Sequence, residues 1–175
     1  MPPESAPNYL AAYPAELVEK VQKLINQRTL ADRLLQKYPT AHSVRNDRAL
    51  YEFVSEAKGR YLRNTGSLSR VAFDSTLHVE RRALGMHTTI SRVQGGGLKS
   101  KREIRVAAVF RDMPVAFLQM IVVHELAHFK EPQHNKAFYQ LCLHMEPEYH
   151  QFEFDLRAYL TWLSATDQPL WAGGA

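Results

Sequence analysis

From Pro114 to Val123 the chain reads PVAFLQMIVV, a run apolar on every side of a helix, and it continues without a break into His124-Glu125-Leu126-Ala127-His128. A helix of that kind cannot lie on a surface with one face in water, so it has to be central, and the rest of the chain must wrap it. Its last turn then carries three polar side chains into the interior, where each is destabilising unless something pairs it. Two histidines four apart stand one above the other on a helix face, so both imidazoles reach a single zinc ion. The glutamate between them can hydrogen-bond a water held by that ion. The pattern is HExxH, and a divalent metal would satisfy all three side chains at once.

Zinc needs a third protein ligand. His134 is the leading candidate, since Pro132 ends the helix and lets the chain turn back toward the ion. In metalloproteases with the HExxHxxGxxH pattern the histidine falls at the same offset but a glycine makes the turn, and here that position is Glu131. Glu148 competes, near the start of a later helix, and Glu146, His144 and His150 are weaker versions of the same idea. A purely structural zinc site is disfavoured, because HExxH with one further histidine leaves the fourth position open and puts a carboxylate beside it. Tyr139, His144, Tyr149 and His150 are candidates for stabilising a transition state, and the sequence does not choose among them. Cys142 reads as a small core residue on the apolar side of its helix with Phe138 and Met145.

Around the metal helix the periodicities change twice. Apolar residues from Leu17 to Tyr38 follow helical spacing between Pro14 and Pro39, and a second helix starts at the cap-type pair Asn46 and Asp47 and ends before Gly66. The period then becomes two. Strands are expected from Val71 to Val79, from Leu84 to Val93 and from Lys101 to Phe110, the last two joined by the glycines 95 to 97 and a basic GLKSK stretch. Asp112 and Pro114 suit the start of the metal helix, which should end near Lys130. Helices from about Asn135 to Met145 and from Pro147 to Ser164 follow, and TDQPLWAGGA reads as a loose tail. The expected architecture is α+β and zincin-like: a small, mostly antiparallel sheet packed on the central helix, with N- and C-terminal helices. One domain spans 1–175, with a helical N-terminal extension at 1–66, a catalytic core at 67–164 and the tail at 165–175.

The chain of 175 residues has 45% hydrophobic and 23% charged residues, which excludes intrinsic disorder and fibrous architecture for the chain as a whole. Its one cysteine excludes a disulfide framework and any four-cysteine zinc module. No apolar run approaches the ~20 residues needed to cross a bilayer, so a cytoplasmic location and no membrane partner are expected. The net charge of +4 is unevenly spread: residues 58–111 hold 12 Lys and Arg against 3 acidic residues, while residues 112–175 hold 3 against 8. Charge alone is divided between two readings of the basic segment, a contact for a polyanion or nucleic acid and a solvated strand face.

The stretch IVVHELAHFKEPQHNKAFYQLCLHMEPEY resembles the YgjP-like metallopeptidase family, and more distantly the SprT and WLM zinc peptidases. The likeness extends back through KREIRVAAVFRDMP and on to about Leu163. It implies His124, His128 and His134 as zinc ligands and Glu125 as general base. The chain departs from the family at LGMHTTISRVQGGGLKSK, where many members carry a Trp-Gly-Ser-Cys type turn, and its helical N-terminal part has no counterpart in shorter members. Three activities follow from these residues. The first is a zinc peptidase, in which Glu125 takes the water's proton and passes it to the leaving amine while a peptide lies antiparallel to Glu103–Val109. The second is hydrolysis of a nucleotide triphosphate by the same groups, with the basic segment holding phosphates. The third is a SprT-like protease docked on nucleic acid through residues 58–111.

Overall fold

The computed structural model describes residues 7–77, 91–96 and 101–171. Three helices open the chain: α1 (Ala15–Asn26), α2 (Leu30–Lys37) and α3 (Asp47–Tyr61). The single helix expected between Pro14 and Tyr38 is therefore two. Arg28 turns into the left-handed region at φ 58°. Its amide donates to the Ile25 carbonyl, and the Thr29 amide donates back to the Leu24 carbonyl at 2.9 Å. This is the hydrogen-bond pair of a Schellman motif, which lets the chain start a new helix at an angle to the first. The expected cap of α3 is present, since the Asn46 side chain accepts from the Ala49 amide at 2.9 Å.

Three strands follow, β1 (Leu68–Asp74), β2 (Ser91–Gly96) and β3 (Lys101–Ala107), in the spatial order β1-β3-β2. The sheet is mixed, not mostly antiparallel. β2 and β3 are antiparallel with Gly96 opposite Lys101, whereas β1 joins the far side of β3 in parallel, with Val71 opposite Ile104 and Phe73 opposite Val106. Alternation of apolar and polar residues reports which face is buried and says nothing about strand direction. Direction is set instead by α3, whose Asp47 carboxylate accepts from the Phe73 amide at 3.0 Å and so ties the start of the helix to the end of β1. β1 stops at Asp74, where the carboxylate accepts from the Thr76 amide and hydroxyl at 2.8 and 2.6 Å and bends the chain away. Most of the second strand's expected span, residues 84–90, and most of the connection after the glycines lie outside the described residues.

β3 is the central strand, with β1 on one side and β2 on the other. It has no free edge along Lys101–Ala107, so the main-chain cradle expected there for a peptide is already filled by the protein's own strands. Beyond Ala107 the chain leaves the sheet in a 3-10 turn, Ala108–Asp112, that drops Phe110 into the core. Asp112 does not cap the next helix; it pairs with Arg45 at 2.7 Å.

The metal-motif helix, α4 (Val115–Ala127), is central as its composition requires, and every residue from Met120 to Ala127 is buried. It ends at Ala127 rather than near Lys130, and His128 is its C-terminal cap, followed by turn bonds from the Phe129 and Lys130 amides. α5 (Lys136–Met145) is capped by the Asn135 side chain on the Phe138 amide at 2.9 Å. α6 (Tyr149–Thr166) packs across α4 and α2. The last described residues are not loose. Trp171 is buried, donates its indole N–H to the Tyr38 carbonyl at 2.7 Å, and meets the Tyr159 ring edge-on at 4.8 Å. A continuous hydrophobic core thus runs from Tyr9 to Trp171 with α4 at its middle.

Candidate metal centre

His124 and His128 lie one turn apart at the end of α4, and His134 returns to them from the turn between α4 and α5. Their Nε2 atoms converge, with His128 to His124 at 3.2 Å and His134 to His128 at 3.0 Å. Among the described residues these three form a group able to hold a metal ion, their ligand atoms all within 4.8 Å of one another. Glu148, Glu146, His144 and His150 are not in that group. Glu148 is exposed at the start of α6, Glu146 accepts from the Glu148 amide, His144 rests edge-on against Tyr61 at 5.6 Å, and His150 packs on Tyr139. The turn to His134 needs no glycine at Glu131. Among the described non-glycine residues only Arg28 and Asp167 have positive φ.

The other face of each helix imidazole explains why the Nε2 atoms point inward. The His124 Nδ1 lies 2.8 Å from the Tyr149 hydroxyl, and the His128 Nδ1–H donates to the Glu131 carbonyl at 3.0 Å. A neutral ring that donates from Nδ1 has its lone pair on Nε2, the form that binds a metal. Lone pairs facing each other at such distances repel unless a cation lies between them. Nitrogens on one tetrahedral zinc sit roughly 3.3 Å apart, from zinc–nitrogen bonds of about 2.0–2.1 Å, so the donor set fits zinc in both chemistry and spacing. Burial lowers the His128 pKa below its usual value, which favours the same neutral form.

Phe138, on the first turns of α5, is the floor of the site. Its ring centroid is 4.9 Å from that of His124, 4.7 Å from His128 and 4.8 Å from His134, and it is fully buried. A single aromatic ring thus keeps three imidazoles from collapsing into the core. Glu125 is buried beside them, with its carboxylate 3.9 Å from the His124 Nε2. That is where a proton acceptor for a water at the fourth position would stand.

Two further residues make contacts at the site that the sequence does not assign to them. Arg102 on β3 reaches the end of α4, its Nη1 3.4 Å from the His128 carbonyl and its guanidinium 4.7 Å above the Phe129 ring. Nothing in the sequence separated it from the other arginines of the basic segment. Tyr149, one of four candidates for stabilising a transition state, instead contacts the back of His124, away from the converging Nε2 atoms. Tyr139 lies nearer the open side, 6.5 Å from the His134 ring and 5.6 Å from His150. Cys142 is buried as expected, and burial, reinforced by the nearby Glu153 carboxylate, pushes its thiol up to about 12.

Residues 72–159 match the family described as YgjP-like, metallopeptidase domain. The chain is also 55% identical over 156 residues to the UTP pyrophosphatase of Escherichia coli (strain K12), covering 89% of this chain and 93% of that one. No solved structure matches the chain. Both matches are to hydrolases, and no helix among the described residues is long and apolar enough to cross a membrane. With the family match covering half the chain and the relative nearly all of it, the chain belongs to the YgjP-like metallopeptidase family of hydrolases.

Proposed function

We propose that the protein is a zinc-dependent nucleoside triphosphate pyrophosphatase, with UTP the first substrate to test. The observation that carries this reading is the 55% identity across 93% of a relative named UTP pyrophosphatase. Two features of the fold support it. β3 has both edges paired, which removes the peptide cradle expected there. Arg102 brings a fixed positive charge to the His128 end of α4, where a triphosphate would need one.

In this reading His124, His128 and His134 would hold the zinc, which would supply a Lewis acid able to polarise a phosphoryl oxygen and acidify water. Glu125 would accept a proton from the attacking water as the water oxygen forms a bond to the α-phosphorus. The phosphoanhydride bond to the β-phosphate breaks, and pyrophosphate leaves with the electron pair. Arg102 would neutralise charge on the phosphates. The dryness of the site, set by Phe138 and the buried last turns of α4, strengthens each of these interactions. Peptide hydrolysis remains the second reading, favoured by the description of the family as a metallopeptidase domain. It uses the same groups with an amine as leaving group.

The test is metal content and product analysis on the purified full chain after chelation and zinc repletion. Wild type should hold one zinc per chain and convert UTP to UMP and pyrophosphate. Glu125→Gln should keep the zinc and lose activity by about 10²–10⁴-fold, the usual contribution of a general base. His134→Ala should lose the zinc and Glu148→Ala should not. Turnover of a peptide library without turnover of any triphosphate would replace this reading by the second. A fully active Glu125→Gln protein would remove Glu125 from the chemistry in either.

A further inference from the structure

We propose that Tyr149 is a positioning residue of the metal centre, fixing His124 in the tautomer and orientation that present Nε2 to the ion. The inference rests on the reading that the three histidines hold a metal, and it adds a residue outside the metal-binding motif to that centre. Four observations carry it. The hydroxyl lies 2.8 Å from the His124 Nδ1. The two rings are nearly parallel, with 14° between planes and centroids 6.4 Å apart. Tyr149 is fully buried, so no bulk water competes for that bond. The His124 Nε2 is turned the other way, toward the His128 Nε2 at 3.2 Å. An ion held on that side takes the Nε2 lone pair, which leaves the proton on Nδ1 and makes the hydroxyl oxygen its acceptor.

The hydroxyl can only orient His124 if it is itself held, and α6 holds it. Glu153 and Arg157 follow Tyr149 at intervals of one turn on the same helix. Arg157 binds the Glu153 carboxylate through Nε at 3.1 Å and Nη2 at 2.9 Å, and its Nη1 donates to the Tyr9 carbonyl at 2.9 Å. A buried ion pair anchored to the N-terminal segment therefore fixes the rotation of α6, and through it the height of the Tyr149 oxygen against His124. A tyrosine here fills the place that a carboxylate or carbonyl holds behind many metal-bound histidines.

Tyr149→Phe tests this directly, since it keeps the ring and its packing and removes the oxygen alone. Zinc and cobalt(II) affinities of the full chain are measured by competition with a chromophoric chelator, together with the visible spectrum of the cobalt form and the melting temperature without metal. The expected result is a zinc affinity about 10–100-fold weaker and a shifted cobalt spectrum, with a metal-free melting temperature close to wild type. Affinity within twofold of wild type and a superimposable cobalt spectrum would overturn the assignment. Should the variant fail to fold, imidazole nitrogen shifts of the wild-type zinc form decide: His124 protonated on Nδ1 supports the proposal, and protonation on Nε2 overturns it. Failure of the underlying reading looks different, because wild type would then take up no metal at all.

Discussion

At the scale of single residues, pairs of nitrogens with opposite duties recur in this protein, and His42 shows what that implies for stability. It is buried between α2 and α3; its Nδ1 accepts from the Val44 amide at 3.0 Å while its Nε2–H donates to the Phe110 carbonyl at 2.7 Å. Both bonds hold only for the neutral ring, because a protonated Nδ1 would face an N–H. Burial lowers the pKa below 6.5, and the bond to Phe110 opposes this only in part. The unfolded chain therefore binds a proton at a higher pH than the folded one, and stability is present above pH ~6.5 and falls as pH drops through the folded value. His42→Ala should cost about 1–3 kcal/mol at pH 7, by orphaning a buried donor and acceptor. The gap to wild type, measured by urea unfolding, should narrow between pH 7 and pH 5; a gap constant with pH would show that His42 does not titrate with folding. The same scale shows what could be read in advance. His124, Glu125 and His128 announce themselves by type and spacing, and His134 as the leading one of several candidates for a third ligand. Tyr149 is legible only as one of four transition-state candidates and not as the partner of a histidine 25 residues away, and Arg102, an arginine among many, carries no local mark.

At the scale of elements, helices were legible and sheet order was not. A helix satisfies its backbone within itself, so periodicity and caps such as Asn46 and Asn135 suffice to place it. A strand needs a partner, and the choice of β1 as the parallel neighbour of β3 depends on where α3 docks, which no local pattern encodes. The break between α1 and α2 escaped for another reason. The left-handed position that ends α1 is occupied by an arginine rather than a glycine, so the usual stop signal is missing. That position yields a prediction. Arg28 is exposed, and relief of its left-handed strain outweighs the extra freedom glycine gives the unfolded chain, so Arg28→Gly should stabilise the protein by about 0.5–1 kcal/mol. Arg28→Val, β-branched at the same φ, should destabilise it. Equal melting temperatures for the glycine and valine variants would mean that the turn relaxes without cost.

At the scale of the whole molecule, the metal helix is held at both ends by different parts of the chain. Its C-terminal end carries the histidines over Phe138 and against α6. Its N-terminal end is gripped from behind, where Trp171 meets Phe117 edge-on at 5.8 Å and bonds the Tyr38 carbonyl. The terminal segment looked loose because Asp167, Gln168 and Pro169 are turn-forming residues and one tryptophan makes no periodic pattern. Its anchoring depends on a slot that α2, α4 and α6 build together. Removing the indole by Trp171→Ala should cost about 3–5 kcal/mol from the cavity and the lost aromatic contacts. For a chain of this size that corresponds to a melting temperature lower by roughly 6–20 °C. Phe117 lies seven residues before His124, about 10 Å along the helix at 1.5 Å per residue, and a cavity at one end does not reach the other while the helix stays intact. Zinc affinity of the folded variant should therefore stay within about twofold of wild type, in contrast to Tyr149→Phe, which spares the fold and weakens the metal. A large loss of zinc in Trp171→Ala without a fall in melting temperature would reverse the assignment, placing the terminal segment with the metal centre instead of with the core.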